Sequence, residues 1–278
     1  MPTPSEPAFT EAWIRRFAAS ASAVEPELAA LDQQVGDGDF GANLVAGLQA
    51  TLHRLDGPLD PDGAVPRAVD AVGPSDGFGG PDRLGGPAGR PGSPEEAPSA
   101  AARPLEAAAA AFLDEVGGTS GPLFGLLFQE MALAVRAAGD DLVAKALATG
   151  AASGLAAIER VGEASVGDKT LVDALVPACA ALAAHAPVSG PAEALRHAAE
   201  AAWQGVADTA RLTARRGRAS YLGDRAAGVP DPGAVGVALL FSAADGTVRS
   251  LAPLLAGVRP AASQTGRPQA AAVRHTDS

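Results

Sequence analysis

Isoleucine and aromatic residues are scarce in this 278-residue chain, and that scarcity narrows its fold. Isoleucine occurs only at 14 and 158, and aromatics make up 4% of the sequence. Strands favour β-branched and aromatic side chains, whereas the abundant alanine favours helix, so an all-α domain is expected. An excess of positive charge is also missing. The net charge of −11 argues against nucleic acid or an anionic membrane surface as a partner. Lysine occurs only at 145 and 169, and the preference for arginine reads as genome composition rather than a binding signal. Cys179 is the single cysteine and lies in an alanine-rich helical run, where a lone thiol reads as packing. His53, His185, His197 and His275 have no ligand spacing and read as ordinary surface residues. The opening stretch MPTPSEPAFTEAWIRRFAAS lacks the continuous apolar core of a signal peptide. No later segment has the ~20 uninterrupted apolar residues that span a bilayer, so a cytoplasmic chain without membrane association is expected.

Proline and glycine are concentrated in one place. Residues 57–104 hold ten Gly and ten Pro with few large apolar side chains, so burial there cannot offset the entropy of ordering. This segment reads as a low-complexity, disordered insertion in a single helical domain spanning 8–257, and the polar stretch 259–278 reads as a disordered tail. Within the domain, Thr10 reads as the cap of a first helix with Trp13, Ile14 and Phe17 on one stripe. Leu44, Leu48, Leu52 and Leu55 form the stripe of a second helix, starting near Asn43. Further helices are expected at about 105–116, 121–138, 140–160, 170–186, 191–216 and 233–256, giving an antiparallel bundle of eight.

Against this background one loop stands out, LDQQVGDGDFGAN at 31–43. Its carboxylates, Asp32, Asp37 and Asp39, converge with no basic residue nearby, and oxygen-only donor sets suit hard cations such as Mg²⁺. Asp-Gly pairs also make ordinary turns, so a plain turn remains the competing reading. An EF-hand is excluded, because counting from Asp37 puts Ala42 where the glycine belongs and Leu48 where the bidentate glutamate belongs.

The remaining motifs sit at expected helix starts, where unpaired N–H groups and the positive dipole end favour phosphate. Gly117 to Gly121 opens one helix, with Thr119 and Ser120 as added donors, although the same residues also make a plain cap. Gly162 to Thr170 imitates a P-loop, but Asp168 intrudes before Lys169 and the segment follows a helix, so that reading fails. Arg215, Arg216 and Arg218 suit either a phosphate clamp or a helix C-terminal dipole.

Four stretches, LDQQVGDGDFGAN, GGTSGPLFG, VGDKTLVDAL and GRASYLGDRAAGVPDPGA, together resemble the nucleotide-binding L subunit, or L-type domain, of dihydroxyacetone kinase, in the family's own order. The resemblance implies an eight-helix antiparallel barrel with ADP or ATP and two Mg²⁺ ions at one end. Asp32, Asp37 and Asp39 would be the metal ligands. Asn43, Thr119, Ser120, Gly162, Leu171, Arg218, Asp231, Pro232 and Gly233 would surround the nucleotide, and Arg218 with the metals would neutralise the transferring phosphoryl group. It also implies half of an enzyme, completed by a K-type subunit that holds a small ketose. The phosphoryl donor would be either ATP or a phosphotransferase-system protein, and a homodimer is compatible with the family. Two departures are Phe40, where the family usually has histidine, and the long 57–104 insertion. Phe40 motivates a second reading, a non-catalytic nucleotide-binding regulatory subunit.

Overall fold

The computed structural model describes residues 6–57, 99–139, 143–217, 219–221 and 226–256. Among them there are nine helices and no strand: α1 (Glu6–Asp32), α2 (Phe40–Asp56), α3 (Arg103–Asp114), α4 (Ser120–Ala138), α5 (Val143–Gly162), α6 (Val172–His185), α7 (Pro191–Thr209), α8 (Pro232–Ser242) and the one-turn α9 (Ala252–Leu255). Each of the first eight packs on the next, and α8 returns to α1, so the all-α bundle closes into an antiparallel eight-helix barrel.

Several boundaries differ from the sequence expectation for identifiable reasons. Thr10 is not a cap: α1 begins at Glu6 and Thr10 is buried within it. Pro7 falls in the first turn, where its missing N–H costs nothing. The α7 helix stops at Thr209, well short of 216, where the Thr209 carbonyl accepts from the Leu212 N–H in a tightened turn and from the Lys169 ammonium. The α8 helix stops at Ser242, and Arg16 of α1 donates to the carbonyls of Ala243 and Ala244 at 2.6 and 2.9 Å. Most of the 57–104 segment and all of the 259–278 tail lie outside the described residues. Its last part belongs to the packed domain: Ala101 and Ala102 are fully buried, and Ser99 caps the turn that leads into α3.

The core is built on few large side chains. Trp13, Phe17, Phe112, Phe124, Phe128 and Phe241 are all fully buried, and each Phe contributes about 1.5–3 kcal/mol through burial. Phe112, Phe124 and Phe128 form a tilted aromatic cluster with centroids 5.5–6.4 Å apart. Trp13 also satisfies its indole N–H on the carbonyl of Leu240 at 2.7 Å. Alanine and glycine let the helices approach closely elsewhere. A Cβ at Gly150 of α5 would run into the backbone of Met131 on α4, so only glycine permits that crossing. Cys179 is buried on α6, where burial pushes its thiol up to about 12 and keeps it protonated. His185 and His197 are not ordinary surface residues, because their half-buried rings stack at a centroid distance of 3.7 Å where α6 and α7 meet.

Candidate functional site

Alternation of direction around the barrel brings the N-termini of α2, α4, α6 and α8 to one end, where they rim a cleft of about 440 Å³. That volume lies within the ~300–1,000 Å³ usual for small-ligand sites. None of α2, α4 or α6 closes its start with a side-chain N-cap bond, whereas Asp231 caps α8 by accepting from Ala234 N–H at 2.8 Å. Four positive dipole ends converging on one cavity make it electrostatically suited to polyphosphate.

Opposite charge is supplied by the loop between α1 and α2. Asp32, Asp37 and Asp39 bring one carboxylate oxygen each within 4.8 Å of one another, and all three line the cleft. Asp32 is 8% exposed, and its second oxygen accepts from the Phe40 N–H at 3.1 Å, which fixes the carboxylate's aim. The glycines are required here: a Cβ at Gly36 would collide with Asp32 Oδ1, and Gly38 adopts φ 81°. An oxygen-only set of three converging carboxylates fits Mg²⁺.

The expected nucleotide residues come together. Asn43, Thr119, Ser120, Gly162, Leu171, Asp231, Pro232 and Gly233 all line the same cleft as the three aspartates. Arg218 lies outside the described residues. Its neighbour Arg216 lines the cleft and pairs loosely with Glu163 at 3.4 Å and Asp168 at 3.9 Å, while Arg215 pairs with Asp168 at 3.7 Å. Phe40 lines the cleft but is 5% exposed, and its ring packs on Phe124 at 6.4 Å. Asp231 is deep enough that burial pushes its carboxyl up to about 7, against the lowering effects of the Ala234 N–H and the Lys169 ammonium.

Three contributors escape sequence reading. Asp173, in the first turn of α6, accepts from Gly167 N–H at 2.6 Å and Thr170 N–H at 2.8 Å, folding the α5–α6 loop back against the cleft. Lys169, set aside with the P-loop imitation, lines the cleft and is 1% exposed. Its signal was rarity: in a chain that uses arginine almost throughout, a retained lysine marks a place where guanidinium would not serve. Thr209, with no motif around it, is fully buried and accepts the Asp231 N–H at 2.9 Å through its hydroxyl.

Comparison with known proteins gives the family. Residues 93–245 match the model of the DAK2 domain. The chain belongs to the DAK2 domain family. Over 231 residues it is 30% identical to the PEP-dependent dihydroxyacetone kinase 1, ADP-binding subunit DhaL, of Listeria innocua, covering 83% of this chain and 91% of that protein. It is 36% identical over 220 residues to the L-erythrulose 1-kinase of Mycolicibacterium smegmatis, covering 79% of this chain but only 32% of that kinase. The DAK2 chain thus spans about a third of the length of one curated relative and nine-tenths of the other. The crystal structure of the dihydroxyacetone kinase of C. freundii shares its fold, with a TM-score of 0.54 and 24% identity over 88% of this chain and 35% of that one. Among the described residues no helix of this DAK2 protein is long and apolar enough to cross a membrane.

Proposed function

We propose that this chain is the nucleotide- and Mg²⁺-binding phosphotransferase subunit of a dihydroxyacetone-type kinase. It would act with a separate K-type subunit that holds a small ketose. The observation that carries the reading is the convergence, on one cleft, of three carboxylates and four helix N-termini, a pairing suited to a metal–polyphosphate complex and to little else. The DhaL subunits it resembles are named for ADP binding, and the similarity covers 91% of each of two such subunits.

In this reading Asp32, Asp37 and Asp39 hold Mg²⁺, which when bound neutralises phosphate charge. Thr119, Ser120 and the α4 N-terminus take phosphate oxygens, with Asn43 and Gly162 alongside, and Leu171, Asp231, Pro232 and Gly233 complete the lining. Arg218 is assigned to the transferring phosphoryl group on resemblance alone. The reaction breaks a terminal P–O bond of the phosphorylated nucleotide and forms one to a ketose hydroxyl, so the protein's share is positioning and electrostatic stabilisation. Whether the nucleotide is consumed ATP, or bound ADP recharged by a phosphotransferase-system protein, defines two versions of the same site. The α2 helix starts at the cleft and runs ~25 Å away from it, and Arg103 at the start of α3 bonds the Leu55 carbonyl there, so the chain leaves at Gly57 and returns at Ser99 at the opposite end of the barrel.

The test is phosphoryl transfer to dihydroxyacetone, assayed for the chain alone and with a K-type subunit. Turnover should appear only with the partner. Robust turnover by the chain alone would overturn the half-enzyme reading, and nucleotide binding without turnover alongside several competent K-type partners would favour the regulatory alternative.

A further inference from the structure

Among the described residues only two non-glycine residues have positive φ, Glu163 at 46° and Lys169 at 61°, and both lie on the loop between α5 and α6. Left-handed backbone is costly for a side chain with a Cβ and persists only where the surroundings impose it. At Lys169 the imposing contacts are visible. The ammonium is buried and donates at 2.6 Å to the carbonyl of Thr209, the last residue of α7, and at 2.6 Å to that of Val229, just before α8. These two acceptors lie twenty residues apart in sequence and form the two sides of the base of the 210–228 connection. A backbone bond from Gly228 N–H to the Ala210 carbonyl, at 2.8 Å, closes the same base one step further out. Beside it the Thr209 hydroxyl accepts the Asp231 N–H, and Asp231 in turn caps α8.

We propose that Lys169 is a positioning residue: its ammonium clamps the base of the 210–228 loop and thereby sets the Asp231–Gly233 wall and the Arg216 side of the nucleotide site. This rests on the nucleotide reading of the cleft. Two carbonyls at 2.6 Å from one buried nitrogen suit an ammonium, which presents three hydrogens on a single compact atom, whereas a guanidinium spreads its donors over a wider plane. The clamp ties three segments, the α5–α6 loop, the end of α7 and the start of α8, whose residues Leu171, Asp231, Pro232 and Gly233 line the cleft outside the α1–α2 metal loop. Lys169 also faces the carboxylates of Asp231 and Asp173, which oppose the loss of its charge on burial. A role confined to stability would leave the cleft's ligand preferences untouched, whereas loss of a clamp on this lining weakens nucleotide and spares the metal loop.

The experiment compares the full-length chain with Lys169→Met and Thr209→Val, all in solution well below their melting temperatures. Binding of Mn²⁺ alone is followed by electron paramagnetic resonance, and binding of ADP with Mg²⁺ by calorimetry. Lys169→Met should lose roughly tenfold or more in ADP affinity, since small misplacement of binding groups carries penalties of this order, while Mn²⁺ binding stays unchanged. Thr209→Val, which keeps the carbonyl but removes the hydroxyl that accepts from Asp231, should weaken ADP in the same selective way. Unchanged ADP affinity in folded Lys169→Met, or equal loss of Mn²⁺ and ADP, overturns the clamp. Should Lys169→Met fail to fold, Lys169→Arg decides, since its longer, broader head cannot sit at the same buried point between the two carbonyls, and unaltered ADP affinity there overturns it too. Failure of the unmodified chain to bind ADP at all would instead bring down the nucleotide reading itself.

Discussion

Replacing Asp173 by asparagine probes how the site is held, because this side chain binds no expected ligand yet organises the loop that lines the cleft. Both oxygens of Asp173 accept a loop amide, Gly167 N–H at 2.6 Å and Thr170 N–H at 2.8 Å, and the residue is 6% exposed. Asparagine keeps one acceptor oxygen and turns an NH₂ toward the other amide, so one hydrogen bond to a charged acceptor is lost and two donors are left face to face. Such a bond contributes about 1.5–3 kcal/mol, and water cannot easily replace it at this depth. For a domain of about 200 residues each kcal/mol moves the melting temperature by roughly 2–4 °C, so Asp173→Asn should melt roughly 3–12 °C lower. Thermal unfolding by circular dichroism, in chelator and without nucleotide, measures this directly. ADP affinity should fall as well, since the loop carrying Lys169 and Leu171 is no longer drawn back against α6. A melting temperature within about 1 °C of the parent would refute the view that these two bonds fold the loop.

Two further outcomes follow from the geometry. Replacing residues 60–97 by a short Gly-Ser linker should leave ADP affinity unchanged and the melting temperature within a few degrees, because the connection opens at the barrel end remote from the cleft and loop length costs little; a large fall in either would mean that the segment packs on the domain. The Asp231 carboxyl, raised from 3.8 to about 7 chiefly by burial, contributes stability that is complete below the ordinary carboxylate range and is lost as pH rises through about 7. Asparagine can still cap α8, so in chelator Asp231→Asn should gain on the parent in thermal stability between about pH 5 and pH 8, and a difference that does not vary with pH would contradict the raised value.

Much of the architecture was legible because it rests on local signals. Amphipathic stripes such as Trp13, Ile14 and Phe17, and glycine-marked helix starts, pointed to eight helices in the right order, and the convergence of Asp32, Asp37 and Asp39 was legible in the acidic loop. Helix ends were less legible where distant groups take part. Nothing near Thr209 in sequence says that its carbonyl also accepts from Lys169, forty residues away, and nothing near Ala243 announces Arg16. The same limit hid Asp173, which reads as an ordinary acid in a helix's first turn, and it made His185 and His197 look solitary when they stack. Phe40 was singled out as a departure beside the acidic loop, but its sequence position could not say that the ring packs on Phe124.

In the proposed function the three carboxylates and four helix starts form one site for a metal–nucleotide complex. Calorimetric titration of ADP into the full-length chain, with Mg²⁺, with chelator, and with Mg²⁺ into Asp37→Asn, tests it most directly. Saturable single-site binding is expected in the first case and a loss of roughly tenfold or more in the other two, since a charged metal ligand is removed or the metal itself is absent. Equal ADP affinity under all three conditions would contradict it.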